Sequence, residues 1–521
     1  PGCAVGVMRD GTLLFAKGYG ASDLQHGVPI TPASVFHVAS ISKQFAAFSI
    51  LLLERDGKLS LDDDIRRYLP EVPDFGQRIT IRHLIHHTSG LRDQWSLLSL
   101  GGWRADDPKS EADILWLVGR QRALNFTPGA EHLYSNTGYT LLGTIVQRVS
   151  GRTLRQFTTE RIFTPLGMTH THFHDDHTML VPGRTSAYVP RGGGRGGAPG
   201  GAEAYAISIP VFDNAGATSL FTTVEDLARW DRNFLVPTVG DARLIDAMSV
   251  RGRLNNGDSI PYAFALTHGM YRGARTIGHS GADAGYRADY LRFPDQRMAF
   301  TVLCNIGTAN PGQLTREVAA VVLAEQLSPA PEAPGAPPTP AAVTLSAAET
   351  RAFAGSYADT VNGSVRTLYY RDSTNSLHAS AAPNAPAIGY LGNDTFLPPG
   401  ATTRVRFVRR GTEVTGMMDV PGTTIFAKVP PAVTSSTAIA AIAGRYRSDE
   451  LDVVWTLSPN AAGGLTLSRR RFPDAPVQPA YLDAFTTNVG LLRVTRDASG
   501  SVTGFLLTAG RVRNLWFERE R

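Results

Sequence analysis

Ser40-Ile41-Ser42-Lys43 places a hydroxyl and an amine three residues apart, at the start of a segment (about 40–55) whose pattern predicts a helix stopping at Gly57. Residues three apart on a helix share a face, so the two side chains can meet. A serine is a weak nucleophile at its free pKa, and a neutral amine within reach can take its proton. That chemistry needs a lysine pKa depressed by desolvation or by a second cation. The helix N-terminus would add positive potential for negative charge developing at the serine. Lys43 is the only one of the five lysines with a serine three residues before it, and the apolar positions Phe45, Ala46, Ile50 and Leu51 follow it. Taken alone, the tetrad reads equally as a helix cap beside a solvated lysine.

Two further elements carry polar groups suited to the same work. Tyr134-Ser135-Asn136 follows the turn at Pro128-Gly129 and precedes a predicted helix. A phenolic oxygen can shuttle a proton when cations lower its pKa, and an amide can hold a carbonyl or orient the lysine. An N-capping Asn136 with a packed Tyr134 is the ordinary alternative. Gly278-His279-Ser280-Gly281 follows a strand-like stretch, where glycine lets a substrate backbone approach closely. His279 could hydrogen-bond the substrate or the Tyr134 oxygen; a tight turn explains the residues as well.

The elements that must position these groups mix strands and helices. Ala4–Met8 and Leu13–Gly18 flank Asp10-Gly11, a strong hairpin signal. Helices are expected over Thr137–Val149, Val224–Phe234 and Gln313–Gln326, and strands over Thr276–Gly278, Tyr286–Phe293 and Met298–Cys304. Strands at both ends with helices between imply one sheet with helices packed on it, an α+β arrangement. Arg191–Gly201 is glycine-rich and reads as a mobile surface loop, and Ser328–Ala342 is a Pro/Ala-rich semi-rigid linker. Beyond it, short alternating strands take over. Ala354-Gly355-Ser356-Tyr357 is matched by Ala443-Gly444-Arg445-Tyr446, Phe396 by Phe485, and Val414-Thr415-Gly416 by Val502-Thr503-Gly504. Matches in register argue for two copies of one all-β unit, each a small antiparallel barrel that hides its edges.

Together, and in this order, Ser-x-x-Lys, Tyr-x-Asn and His-x-Gly resemble the penicillin-recognising serine hydrolases, which include class C β-lactamases, DD-peptidases, D-aminopeptidases and β-lactamase-like esterases. His87-Thr88-Ser89-Gly90-Leu91 and Phe126-Thr127-Pro128-Gly129 fit the same pattern. The order of a catalytic domain and two barrels is similar to the three-domain D-aminopeptidase branch, as are Ser89-Gly90-Leu91-Arg92-Asp93-Gln94-Trp95 and Gly444-Arg445-Tyr446-Arg447-Ser448-Asp449-Glu450-Leu451-Asp452. The resemblance implies a β-lactamase/DD-peptidase-like catalytic domain over 1–327, a linker over 328–343, and lipocalin-like barrels over 344–430 and 436–521. It implies an acyl-enzyme on Ser40, acid–base work shared by Lys43 and Tyr134, and an oxyanion hole from the Ser40 and Ala282 backbone N–H groups. Asn136, His279, Ser280, Gly281, Ala282 and Arg287 would bind substrate, Arg287 through a carboxylate. The implied activity is D-aminopeptidase-like cleavage of amides or peptides of small substrates, D-amino-acid-containing ones included. A β-lactamase-like carboxylesterase or a β-lactamase is the alternative, and a non-catalytic ligand-binding protein a second. Members of the branch carry a longer loop from the last barrel into the active site; Thr486–Gly490 is short here, which argues for a less restricted substrate. No metal or other cofactor is required.

Composition bounds the rest. With 521 residues, 42% hydrophobic and 19% charged, the chain is globular and suggests about three domains at roughly 100–200 residues each. The run Phe45–Leu53 is too short to span a bilayer. A net charge of +5 is spread over scattered arginines, and Arg469-Arg470-Arg471 is a short run, so nucleic acid is not an expected partner. A small molecule or short peptide is, and a homodimer is compatible with the chain. Pro1-Gly2-Cys3 runs directly into an apolar strand, so the start reads as trimmed, and either the bacterial cytoplasm or the periplasm fits. Cys3 and Cys304 cannot make a disulfide framework and read as buried thiols. Gly278-His279-Ser280-Gly281-Ala282 is close to a nucleophile elbow, but the only later histidine is His378, beyond the linker. His170, His172, His174 and His177, with Asp175 and Asp176, form a tract that reads as a polar surface loop rather than a metal site.

Overall fold

The computed structural model describes residues 1–191, 202–330, 345–461 and 463–520. The central parts of the glycine-rich loop and of the Pro/Ala linker lie outside the described residues. The chain divides into two compact units, Pro1–Trp95 with Trp103–Ala330, and Ser96–Gly102 with Pro331–Arg521.

The first unit is built on one antiparallel sheet. Its strands are β1 (Cys3–Arg9), β2 (Thr12–Tyr19), β3 (Thr267–Tyr271), β4 (Ala274–Asp283), β5 (Tyr286–Phe293) and β6 (Met298–Cys304), in the order β3-β4-β5-β6-β1-β2. The β1–β2 hairpin turns through Asp10 and Gly11, both at positive φ, as the sequence predicts. Both chain-distant halves of the sheet meet where β1 pairs with β6. That register sets Cys3 directly opposite Cys304, and the two form a disulfide across 301 residues. The reading of two buried thiols is therefore corrected. The pairing depends on the first and last strands being neighbours, which neither local sequence reveals.

Four helices position the rest: α1 (Lys43–Arg55), α2 (Asn136–Ser150), α3 (Val224–Asn233) and α4 (Pro311–Val322). α4 packs on β5 and β6, with Ala319 and Leu323 against Leu291, Phe293 and Phe300. α3 packs on β1, β2 and β6. Lys43 through Leu53 of α1 are all buried, which suits a helix enclosed on every side. Trp230 of α3 closes on Phe45 and Phe48, and its indole N–H donates to Gln44 Oε1 at 3.0 Å. α2 ends at Gly151, in the left-handed conformation that glycine adopts without strain.

The second unit carries two eight-stranded antiparallel arrays, the first with strands from Gly355 to Val429 and the second from Gly444 to Arg519. The second closes into a barrel. The first does not: Ser376–His378 and Gly389–Gly392 end the array, and only an isolated bridge, His378 to Ala387, crosses the seam. The intervening 379–388 contains Pro383 and Pro386, which offer no N–H for a ladder. The expectation of two barrels thus becomes one closed barrel and one open along a seam. The repeat is structural: Tyr357 donates to Phe353 O at 2.8 Å and Tyr446 to Ile442 O at 2.5 Å, 89 positions later. In the second barrel, Thr487 N–H donates to Gly490 O at 2.9 Å, closing the short turn foreseen at 486–490.

Candidate active site

Ser40 lies in a 3-10 turn, Ala39–Ser42, that leads into α1, rather than in the α-helix itself. In a 3-10 turn residues three apart eclipse, and Lys43 Nζ stands 3.0 Å from Ser40 Oγ. Two anchors hold this turn. Val38 N–H donates to Leu220 O at 3.0 Å, and Leu220 N–H donates to Ser42 Oγ at 3.0 Å. β4 lies against it at Gly281, where an added Cβ would stand 2.2 Å from Val38 O, so no side chain fits.

Lys43 is fully buried, and two acceptors besides Ser40 surround its amine: Asn136 Oδ1 at 2.9 Å and Ala217 O at 2.5 Å. Asn136 is the first residue of α2, and its orientation is determined by what lies behind it. Asp93 Oδ2 accepts from both Asn136 Nδ2 and Asn136 N–H, each at 2.8 Å. A carboxylate oxygen only accepts, so the amide nitrogen must face Asp93 and the amide oxygen must face Lys43. The carboxylate also sits at the N-terminus of α2, where the helix dipole favours it.

Tyr134 stands half-buried beside this pair, with Lys43 Nζ 5.0 Å from its ring centre. His87 lies against the ring at 4.1 Å, and its Nδ1 accepts from Ser135 N–H at 3.1 Å. His279 is on β4, which runs on to Asp283 instead of turning at Gly278. Its Nδ1 is 2.6 Å from Ser280 O, which can only accept, so Nδ1 carries the proton and Nε2 accepts from Tyr262 O–H at 2.9 Å. The sequence motifs offer His279 the substrate or the Tyr134 oxygen as partner; in the structure its Nε2 accepts from Tyr262, and the His279 and Tyr134 ring centres are 6.1 Å apart. Burial, with Lys43 nearby, pushes the His279 imidazole down to about 4, so the ring is neutral.

β3 pairs with β4 only as far as Gly278, so the 279–283 stretch has no strand neighbour on that side among the described residues. Ser280 and Ala282 are exposed there. A cavity of about 410 Å³ lies against this edge on the α4 side of the sheet, lined by Ser280, Ala282, Arg287, Asp289, Pro311 and Arg316 among others, and by none of Ser40, Lys43, Tyr134 or Asn136. Arg287, half-buried on β5, donates from Nη1 to Ala284 O at 2.9 Å and Tyr286 O at 2.7 Å. Burial raises the Asp289 carboxyl to about 6. The Ser40, Lys43, Tyr134 and Asn136 groups thus converge, with His279 behind them and Ser280 to Ala282 along the open strand edge. The sequence motifs assign no role to Asp93 or Tyr262. Asp93 sits inside the 89–95 motif already noted; Tyr262 is in an irregular segment with no sequence signal.

The histidine tract is not a uniform surface loop. His172 and His174 pack around Phe221, and His174 is buried. Asp176 and His177 come together with Asp213, from a distant segment, with ligand-type atoms within 4.8 Å of one another. His177 Nδ1 is 2.8 Å from Asp213 Oδ1, an ion pair when the ring is protonated.

Burial also pushes His86, His172 and His174 down to about 4. An unfolded histidine titrates near 6.5, so between about pH 6.5 and 4 the unfolded chain binds more protons than the folded one. Stability from these four histidines is full above about pH 6.5 and lost as pH falls toward 4. Asp289, with its raised pKa, acts in the opposite direction but is one group against four. The thermal midpoint should fall more between pH 6.5 and 4.5 than between pH 8 and 6.5. A flat midpoint over the acid interval would mean that these rings are accessible to water.

Comparison with known proteins follows the same lines. The Beta-lactamase family model matches residues 1–325. A D-aminopeptidase of Gluconobacter oxydans (strain 621H) is 27% identical over 467 residues, covering 87% of this chain and 80% of that protein. A D-aminopeptidase of Cereibacter sphaeroides (strain KD131 / KCTC 12085) is 25% identical, covering 100% and 96%. Among solved structures, D-amino acid amidase from Ochrobactrum anthropi SV3, complexed with L-phenylalanine, aligns with a TM-score of 0.52 at 22% identity, covering 62% of this chain and 95% of that one. At that identity the likeness concerns the fold. No helix among the described residues is long and apolar enough to cross a membrane.

Proposed function

The chain belongs to the Beta-lactamase family, and from that premise we propose that it is a serine hydrolase of the D-aminopeptidase type, cleaving small amides or short peptides through an acyl-enzyme on Ser40. The observation that carries this reading is the setting of Lys43. Asn136 Oδ1 and Ala217 O at its amine can only accept, so each takes an N–H bond. A neutral amine can present its lone pair to Ser40 Oγ, 3.0 Å away. That amine accepts the serine proton as Oγ attacks the carbonyl carbon. The C–O bond forms, the oxyanion rests on the Ser40 and Ala282 backbone N–H groups, and the amide C–N bond breaks as the leaving amine takes a proton. Tyr134, beside Lys43, shares the proton transfers, and water then reverses the sequence to free the acid. Asn136 orients the lysine. His279, Ser280, Gly281 and Ala282 would meet substrate along the open strand edge, with Arg287 offered to a substrate carboxylate, as the family resemblance implies. We assign this chemistry to 1–327, followed by the open β array over 344–430 and the closed barrel over 436–521.

The neutral His279 bears on substrate class. Above about pH 4 it offers no cation to the carboxylate of a lactam. The D preference is drawn from the D-aminopeptidase relatives. A panel of D- and L-alanine p-nitroanilides, p-nitrophenyl acetate and a chromogenic cephalosporin tests both points. The expected order of kcat/KM has the D-anilide above the L-anilide and the cephalosporin last. Turnover of the ester without either anilide would make the chain a carboxylesterase, and preferred turnover of the cephalosporin a β-lactamase.

A further inference from the structure

The second unit builds one strand arrangement twice and fills the two copies differently. In the closed barrel, Trp455 stands opposite Tyr446 in the strand register and is 1% exposed. Its ring centre is 4.4 Å from that of Phe517, which stacks on Phe505 at 4.8 Å. These rings occupy the barrel interior. In the open copy the position opposite Tyr357 is Arg366. Where the closed barrel has Phe505 paired with Phe517, the open copy has Met417 paired with Phe426.

Arg366 does not replace the missing indole. Its guanidinium turns onto Asp419, with both Nη atoms at 2.7 Å from the carboxylate, and lies over the Phe426 ring at 4.3 Å. The interior is left with a cavity of about 330 Å³, lined chiefly by Leu368, Leu377, Ile388, Phe396, Phe407 and Met417. Leu377, Ala379 and Ile388 also flank the unpaired seam, so the cavity meets the one edge where this array does not close. An empty apolar void forfeits the contacts of every atom around it, and the closed copy shows how the same framework is filled when it is filled by protein.

We propose that this cavity is a binding site for an uncharged, hydrocarbon-like small molecule, distinct from the hydrolytic site. At about 30 Å³ per non-hydrogen atom, the share a water takes in the liquid, it admits roughly ten such atoms. Its volume and lining are those of ligand pockets, which are largely apolar with few polar groups. Arg366 is the only charged lining residue, and its pairing with Asp419 excludes an anionic ligand, which would have to displace that carboxylate.

The test is calorimetric titration of the full chain with indole, a neutral bicyclic ring of this size, after Ser40 has been acylated to block the other site. One saturable site is expected. Met417→Phe, which copies Phe505 of the closed barrel, should weaken it at least about 10-fold, with circular dichroism and thermal midpoint retained. Should that variant not fold, Ala379→Phe at the seam takes its place and should weaken binding likewise. Absence of saturable binding to the acylated wild-type chain, or unchanged affinity in a folded filling variant, overturns the proposal.

Discussion

Ser40→Ala should lose activity on every substrate the wild-type chain turns over, by a factor on the order of 10⁴–10⁶, the scale seen when a nucleophile acting as part of a unit is removed. The side chain is half-buried in a short turn and is not part of the packed core, so the variant should keep its thermal midpoint. Mass spectrometry after brief exposure to a fluorophosphonate should place one adduct on Ser40 in the wild-type chain and none in the variant. Stoichiometric labelling of Ser40→Ala, at Ser280 for instance, would remove Ser40 from the mechanism and revive the nucleophile-elbow reading. The placement of Ser280 on an exposed strand edge weighs against that outcome.

Lys43→Ala is the second large effect. The substitution removes the amine that stands 3.0 Å from Ser40 Oγ, and a general base contributes on the order of 10²–10⁴ in rate. The loss should fall on kcat, since Lys43 is fully buried and out of reach of a bound substrate. It also strips Asn136 Oδ1 and Ala217 O of a donor, so some loss of thermal midpoint accompanies it. Tyr134→Phe, which keeps the ring, separates the two effects: activity should fall over a similar range with the midpoint held. Because these groups act as a unit, Lys43→Ala with Tyr134→Phe should cost far less than the product of the single losses. Near-wild-type kcat in a folded Lys43→Ala variant would refute proton transfer to the lysine.

Much of the catalytic unit was legible in local pattern. The hairpin at Asp10-Gly11, the strands Tyr286–Phe293 and Met298–Cys304, and a helix ending at Gly151 all follow from turn chemistry and periodicity, which act over a few residues. Ser40, Lys43, Tyr134, Asn136 and His279 were singled out because three short motifs occurred in one order. What surrounds them was not legible. The Ala217 carbonyl that fixes the lysine belongs to a backbone with no distinctive side chain, and Tyr262, which takes the His279 bond, sits in an irregular segment.

The same division holds in the second unit and at the chain ends. Matches at a constant offset revealed two copies of one β unit, because a repeat needs only self-comparison. Whether each copy closes depended on the seam, where two prolines withhold N–H groups, and whether its interior is filled depended on the residue opposite the repeated tyrosine, Trp455 inside one copy and Arg366, turned onto Asp419, in the other. Cys3 and Cys304 were each recognisable as strand residues, yet their bond exists because β1 and β6 are neighbours in the sheet. By itself the sequence determined the chemistry available and the local elements that carry it, since those depend on residue type and short spacing. Only the tertiary structure decided which groups meet across 93 and 174 residues at Lys43 and 301 at the disulfide. Such encounters are set by the register of strands and the packing of helices, which no local pattern encodes.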